Sequence, residues 1–134
     1  MSRFSQIAAC LAVALIAFAA WWLWPRRVPV AGVDDGRPVA EVFLAQIRAG
    51  QVDAAWESTT AEFKSDEGRE QFRQYVAQFP VLRQPLEFAE YQATRLNGLP
   101  RGQCFFRAAA SPAKIRVVLA RESDTWKADG LFVE

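Results

Sequence analysis

The chain has 134 residues, with 16 Lys and Arg against 15 Asp and Glu and no histidine. Three of the basic residues, Arg3, Arg26 and Arg27, flank one apolar stretch; the rest of the chain carries 13 basic and 15 acidic residues, a net charge of −2, which lacks the basic footprint of a nucleic-acid binder. The lack of histidine removes Ser–His and Cys–His nucleophiles and the commonest metal ligand together.

Ile7 to Trp24 reads IAACLAVALIAFAAWWLW, eighteen residues without charge or proline. As a helix it would be about 27 Å long, close to the hydrocarbon thickness of a bilayer. Trp21, Trp22 and Trp24 suit the membrane–water interface, and Pro25, Arg26 and Arg27 stop the run. The segment reads as a transmembrane anchor over residues 1–27. Ala17-Phe18-Ala19 fits a small-x-small cleavage pattern, but the apolar run continues beyond it, so the anchor is expected to stay uncleaved. Cys10 lies inside the run and Cys104 far outside it, so no disulfide is expected. A short basic start before one apolar segment is how exported, anchored domains begin. The expectation is therefore a single-pass inner (cytoplasmic) membrane protein with an extracytoplasmic domain. The positive-inside count is nearly balanced and leans slightly the other way.

Residues 28–36, broken by Pro29, Gly32 and Gly36, read as a linker. Pro38 suits a first helical turn, Val39, Val42, Phe43 and Ile47 form an apolar stripe, and Gly50 ends it, giving a helix over 37–49. Val52, Ala55, Trp56, Thr59 and Phe63 fall on one face of a second short helix with a weak point at Thr59-Thr60. Ser65 caps a third, with Asp66 and Glu67 in its first turn, an apolar face of Phe72, Tyr75, Val76 and Phe79, and Pro80 as its stop. After Pro85 the period becomes two. Strands are expected over 86–96, with a bulge near Ala89-Glu90, then 103–110, 114–121 and 126–133. Asn97-Gly98 marks a hairpin turn.

The fold class is thus α+β: a transmembrane helix, then three helices packed on a curved four-stranded antiparallel sheet. The sheet and helices together are expected to bury Phe43, Trp56, Phe63, Phe72, Phe88, Phe106 and Trp126. Two stretches carry a family likeness. Gly50-Gln51-Val52-Asp53-Ala54-Ala55-Trp56, followed by Phe63-Lys64, and the ending Val117-Val118-Leu119 with Trp126-Lys127-Ala128-Asp129-Gly130-Leu131-Phe132-Val133 resemble the nuclear transport factor 2-like superfamily, the cystatin-like α+β cone. The resemblance covers residues 37–134 and implies fold more strongly than function.

Enzymes on that cone place an acid in an apolar pocket, sometimes with tyrosine donors, where its raised pKa lets it move a proton. Here the strand acids are Glu90 and Asp129 and the tyrosines Tyr75 and Tyr91. Glu90 would share a face with Leu86 and Phe88 unless a bulge turns it to solvent; Asp129 alternates away from Ala128 and reads as exposed. Arg95, Arg107, Lys114, Arg116 and Lys127 would line up on the other sheet face as a stripe for anionic lipid or an acidic partner, or form a solvated face offset by Glu87 and Asp129. No catalytic, cofactor or metal residue is assigned. The expected role is a membrane-anchored protein-interaction or assembly module, held through residues 7–24, with a protein partner or a second copy. The alternative is a small apolar ligand binder or cone-type isomerase or dehydratase.

Overall fold

The computed structural model describes residues 32–134. The transmembrane anchor expected over 1–27 and the start of the linker lie outside the described residues. Among the described residues no helix is long and apolar enough to cross a membrane.

Among the described residues, four helices precede one antiparallel sheet: α1 (Val33–Arg48), α2 (Val52–Glu57), α3 (Ala61–Asp66) and α4 (Arg69–Gln78), then a 3-10 turn (Pro80–Arg83) and strands β1 (Leu86–Leu96), β2 (Leu99–Ala108), β3 (Lys114–Glu122) and β4 (Thr125–Val133) in spatial order β1-β2-β3-β4. Among the described residues the helix count is four where three were expected after the linker. The weak point at Thr59-Thr60 is a complete break: Thr60 leaves α-space (φ −66, ψ 158) and its hydroxyl accepts the Phe63 N–H, so it caps a new helix. Ser65 consequently lies inside α3, and α4 starts from Gly68, whose N–H is accepted by Gln71 Oε1 at 2.7 Å.

Helix α1 begins at Val33, four residues before the expected start. Gly32 is its N-cap, the Asp35 carboxylate accepts the Gly32 N–H at 3.3 Å, and Asp34 and Asp35 place negative charge on the positive helix end. Pro38 therefore sits in the second turn, exposed. Gly36 explains why this first turn is retained. It is buried against the sheet, and a Cβ there would lie 2.9 Å from Leu119 Cδ1 and 3.0 Å from Tyr91 Cε2. Gly36→Val is expected to push α1 off the sheet and cost about 2 kcal/mol, read as a lower urea midpoint of the full chain in micelles. An unchanged midpoint would mean that the first turn is not docked.

The β1–β2 and β3–β4 hairpins close with two-residue loops whose residues have positive φ: Asn97 (52) with Gly98 (77), and Ser123 (50) with Asp124 (63). This twist matches the strands it joins, which is why Asn-Gly pins the first register, Leu96 opposite Leu99. The tight turn starts β2 at Leu99, four residues earlier than alternation suggested. The bulge expected near Ala89-Glu90 is present, between Phe88 and Glu90. A second register shift, between Val118 and Leu119, leaves Asp129 as an extra residue in β4, with Gly130 opposite Val118 and Ala128 opposite Leu119.

The core lies between the helices and one sheet face. Phe72 is its centre, with Phe43 stacked at 6.1 Å and Phe63 edge-on at 5.7 Å between ring centroids. Phe43, Phe63, Phe72 and Phe106 are buried as expected. Trp56, Phe88 and Trp126 only border the core. Amphipathic contacts use their outer sides: Trp56 Nε1 donates to Glu67 O at 2.9 Å, and Arg37 lies 4.4 Å over the Phe88 ring.

Candidate functional site

The space where cone-type chemistry would sit is lined by Leu44, Ile47, Cys104, Phe106, Ile115, Val117 and Leu119, all buried and apolar in contact with one another. Of the candidate groups for proton transfer, Tyr75 and Tyr91 pack at the border of this core and the acids lie outside it. Glu90 is exposed, because the bulge turns it outward, and its carboxylate accepts from Gln92 Nε2 at 3.0 Å. The Tyr75 hydroxyl accepts the Val133 N–H at 3.0 Å, a tie between α4 and β4. Tyr91 stands between α1 and β2, so close to Gly102 that a Cβ there would meet its hydroxyl at 2.7 Å; burial raises its pKa.

Cys104 is fully buried, and burial pushes its thiol up to about 11 from an ordinary 9. The thiolate is the reactive form, so the side chain behaves as a small hydrophobe. In a Cys10→Ala chain we expect no labelling of Cys104 by an impermeant maleimide at pH 8 until denaturant is added; rapid labelling of the native protein would refute its burial. The raised folded pKa also fixes a sign. Below pH 9 both states hold the proton and Cys104 gives no pH dependence. As pH rises from 9 towards 11 the unfolded thiol ionises first, so its stabilising contribution is lost.

Asp129 departs from its expected exposure. The β4 bulge re-aims it, leaving the side chain 15% exposed, and it accepts a hydrogen bond from the Thr60 hydroxyl while pairing with Arg101 Nε at 3.7 Å. The Thr60 N–H donates to Ala128 O at 3.0 Å, and the Ala61 N–H donates to Glu122 Oε2 at 2.7 Å. The Ala61 N–H and then Lys127, whose Nζ lies 3.0 Å from Oε1, hold the Glu122 carboxyl below its ordinary pKa. These contacts latch the α3 N-terminus to the β3–β4 hairpin. Thr60 and Asp129 border an open groove of about 400 Å³, but their polar atoms are committed to one another.

The opposite sheet face has no helix packed on it among the described residues; α1 and α3 contact the sheet through the core side. Of the expected cationic stripe, the register brings together Arg107, Lys114 and Arg116. Arg95 pairs with Pro100 and takes the parity of Tyr91, and Lys127 is drawn to Glu122 at 3.0 Å. Acids meet the remaining cations: Glu87 is opposite Arg107, Glu134 exchanges backbone hydrogen bonds with Lys114, and Arg116 Nη2 pairs with Glu134 at 3.0 Å. The stripe is thus a charge-balanced face. The feature missed in the sequence is aromatic. Lys114 Nζ lies 4.3 Å over Phe105, and Arg116 lies 4.3 Å over Phe132, which is 43% exposed. The doublets Phe105-Phe106 and Leu131-Phe132 signal this, because adjacent strand residues point to opposite faces and two apolar neighbours imply an apolar side chain on each. A groove of about 330 Å³ crosses this face, lined by Gln103, Arg116, Val118 and Phe132 and reaching Arg101. Arg116 Nε is buried there without a hydrogen-bond partner among the described residues. This aromatic and cationic face is the candidate site. No protein-family model matches the chain, and no curated protein matches it in sequence.

Proposed function

We propose that this is a single-pass membrane-anchored interaction module of the nuclear transport factor 2-like type, with its sheet curved around the helices by the two bulges. Residues 7–24 hold it in the inner membrane, its α+β domain lies outside the cytoplasm, and it works by contact with a protein partner or a second copy of itself. The observation that carries this reading is the helix-free sheet face, where Phe132 is 43% exposed beside Arg116 and an open groove. The filled interior supports it, since an isomerase or dehydratase needs an acid inside and Glu90 stands outside.

The test is site-specific photocross-linking of the full chain in membranes. A benzophenone side chain replacing Phe132 should give a discrete adduct of higher mass, at twice the chain mass for self-association. The same group replacing Glu70, on the exposed side of α4, should give none. No adduct from Phe132 or from Val118 would overturn the reading.

A further inference from the structure

The β1–β2 hairpin ends in an apolar tip. Leu96 is 60% exposed and Leu99 54% exposed, and they are cross-strand partners on either side of Asn97-Gly98. Two large apolar side chains paired at the end of a projecting hairpin form a local patch with no core to serve. From Tyr91 to Arg121 the chain has no acidic residue, and the tip carries Arg95, while Arg101 is turned to Asp129 and Glu62.

The direction of α1 says what this tip faces. Its Gly36 abuts Tyr91 and Leu119, whereas its later residues Leu44 and Arg48 share a groove with Leu86 and Phe106. Followed backwards towards Gly32, α1 therefore advances along the sheet in the direction in which β1 advances from Leu86 to Leu96. The chain enters the domain at the same end as the hairpin tip. From Tyr91 to Leu96 the strand extends about 17 Å. Only eight peptide units separate Trp24, the end of the apolar run, from Gly32, a reach of at most about 29 Å.

We propose that the β1–β2 tip dips into the lipid–water interface beside the anchor, with Leu96 and Leu99 among the headgroups and upper acyl chains and Arg95 at anionic lipid phosphates. This rests on the anchored reading of residues 7–24 and deepens it. A second, shallow contact would fix the tilt of the domain and hold the Phe132 face at a set height above the membrane.

The test uses the full chain, with Cys10→Ala and Cys104→Ala, reconstituted in vesicles of phosphatidylcholine and phosphatidylglycerol. An environment-sensitive fluorophore is placed at Asn97→Cys, or at Arg107→Cys near the far end of β2. We expect blue-shifted emission and quenching by shallow spin-labelled lipids at position 97 and neither at 107. Leu96→Ser with Leu99→Ser should abolish both signals at 97 while the chain still co-floats with vesicles. Co-flotation without quenching at 97 overturns the tip contact and leaves the anchor standing. A carbonate-extractable chain overturns the anchor and the tip contact together. An unquenched tip that cross-links to a second copy through Leu99→Cys assigns it to self-association instead, and equal quenching at 97 and 107 overturns it as well.

Discussion

Phe72→Ala should lower the stability of the folded domain by about 3–5 kcal/mol, the largest loss expected from a single truncation here. Phe72 is 0% exposed, and its ring is held on two sides, by Phe43 in a stacked contact and by Phe63 in an edge contact. These three rings come from α1, α3 and α4, so the cavity would open where three helices meet and could not collapse without moving all of them. Urea denaturation of the full chain in micelles, followed by tryptophan emission, measures it; Trp56 sits at the core border and reports the change. A loss under about 1 kcal/mol would mean that the aromatic centre is loosely packed.

Asp129→Ala should cost about 3 kcal/mol, for a different reason. It leaves the Arg101 guanidinium, only 13% exposed, facing Glu62 at 4.0 Å as its remaining acidic partner, and it removes the acceptor of the Thr60 hydroxyl. An uncompensated buried charge is costly, whereas removing both members of the pair is far less so. The double variant Asp129→Ala with Arg101→Met should therefore be more stable than Asp129→Ala alone. If the two changes simply add, Arg101 and Asp129 are not energetically coupled and the latch is held by Thr60 and Glu122. The same variants should leave the cross-link at Phe132 unchanged, because the latch acts on folding and the aromatic face on contact.

Most of the fold was legible in the chain, because the signals are local. Strand β1 runs over the expected residues, its bulge lies where the alternation of Leu86, Phe88 and Tyr91 breaks, and Asn97-Gly98 makes the turn that Asn-Gly favours. The class, helices then four antiparallel strands, follows from the change of period at Pro85. The candidate site was half legible: the cations of its face were seen, while their acidic neighbours and the aromatic rings between them needed the register.

What only the tertiary structure decided is where a residue's environment depends on another element. Helix α1 begins at Val33 because Gly36 docks on Tyr91 and Leu119, two residues more than fifty positions away. The helices among the described residues number four because Thr60 both caps α3 and ties to Asp129. Asp129 is covered rather than exposed because it lies at the extra residue of β4 and is met there by Thr60 and Arg101, and nothing local marks that position. Periodicity and turn chemistry act over a few residues and are readable in them. The β4 bulge, the latch and the uncovered face arise from pairings across the chain, which a single sequence does not display.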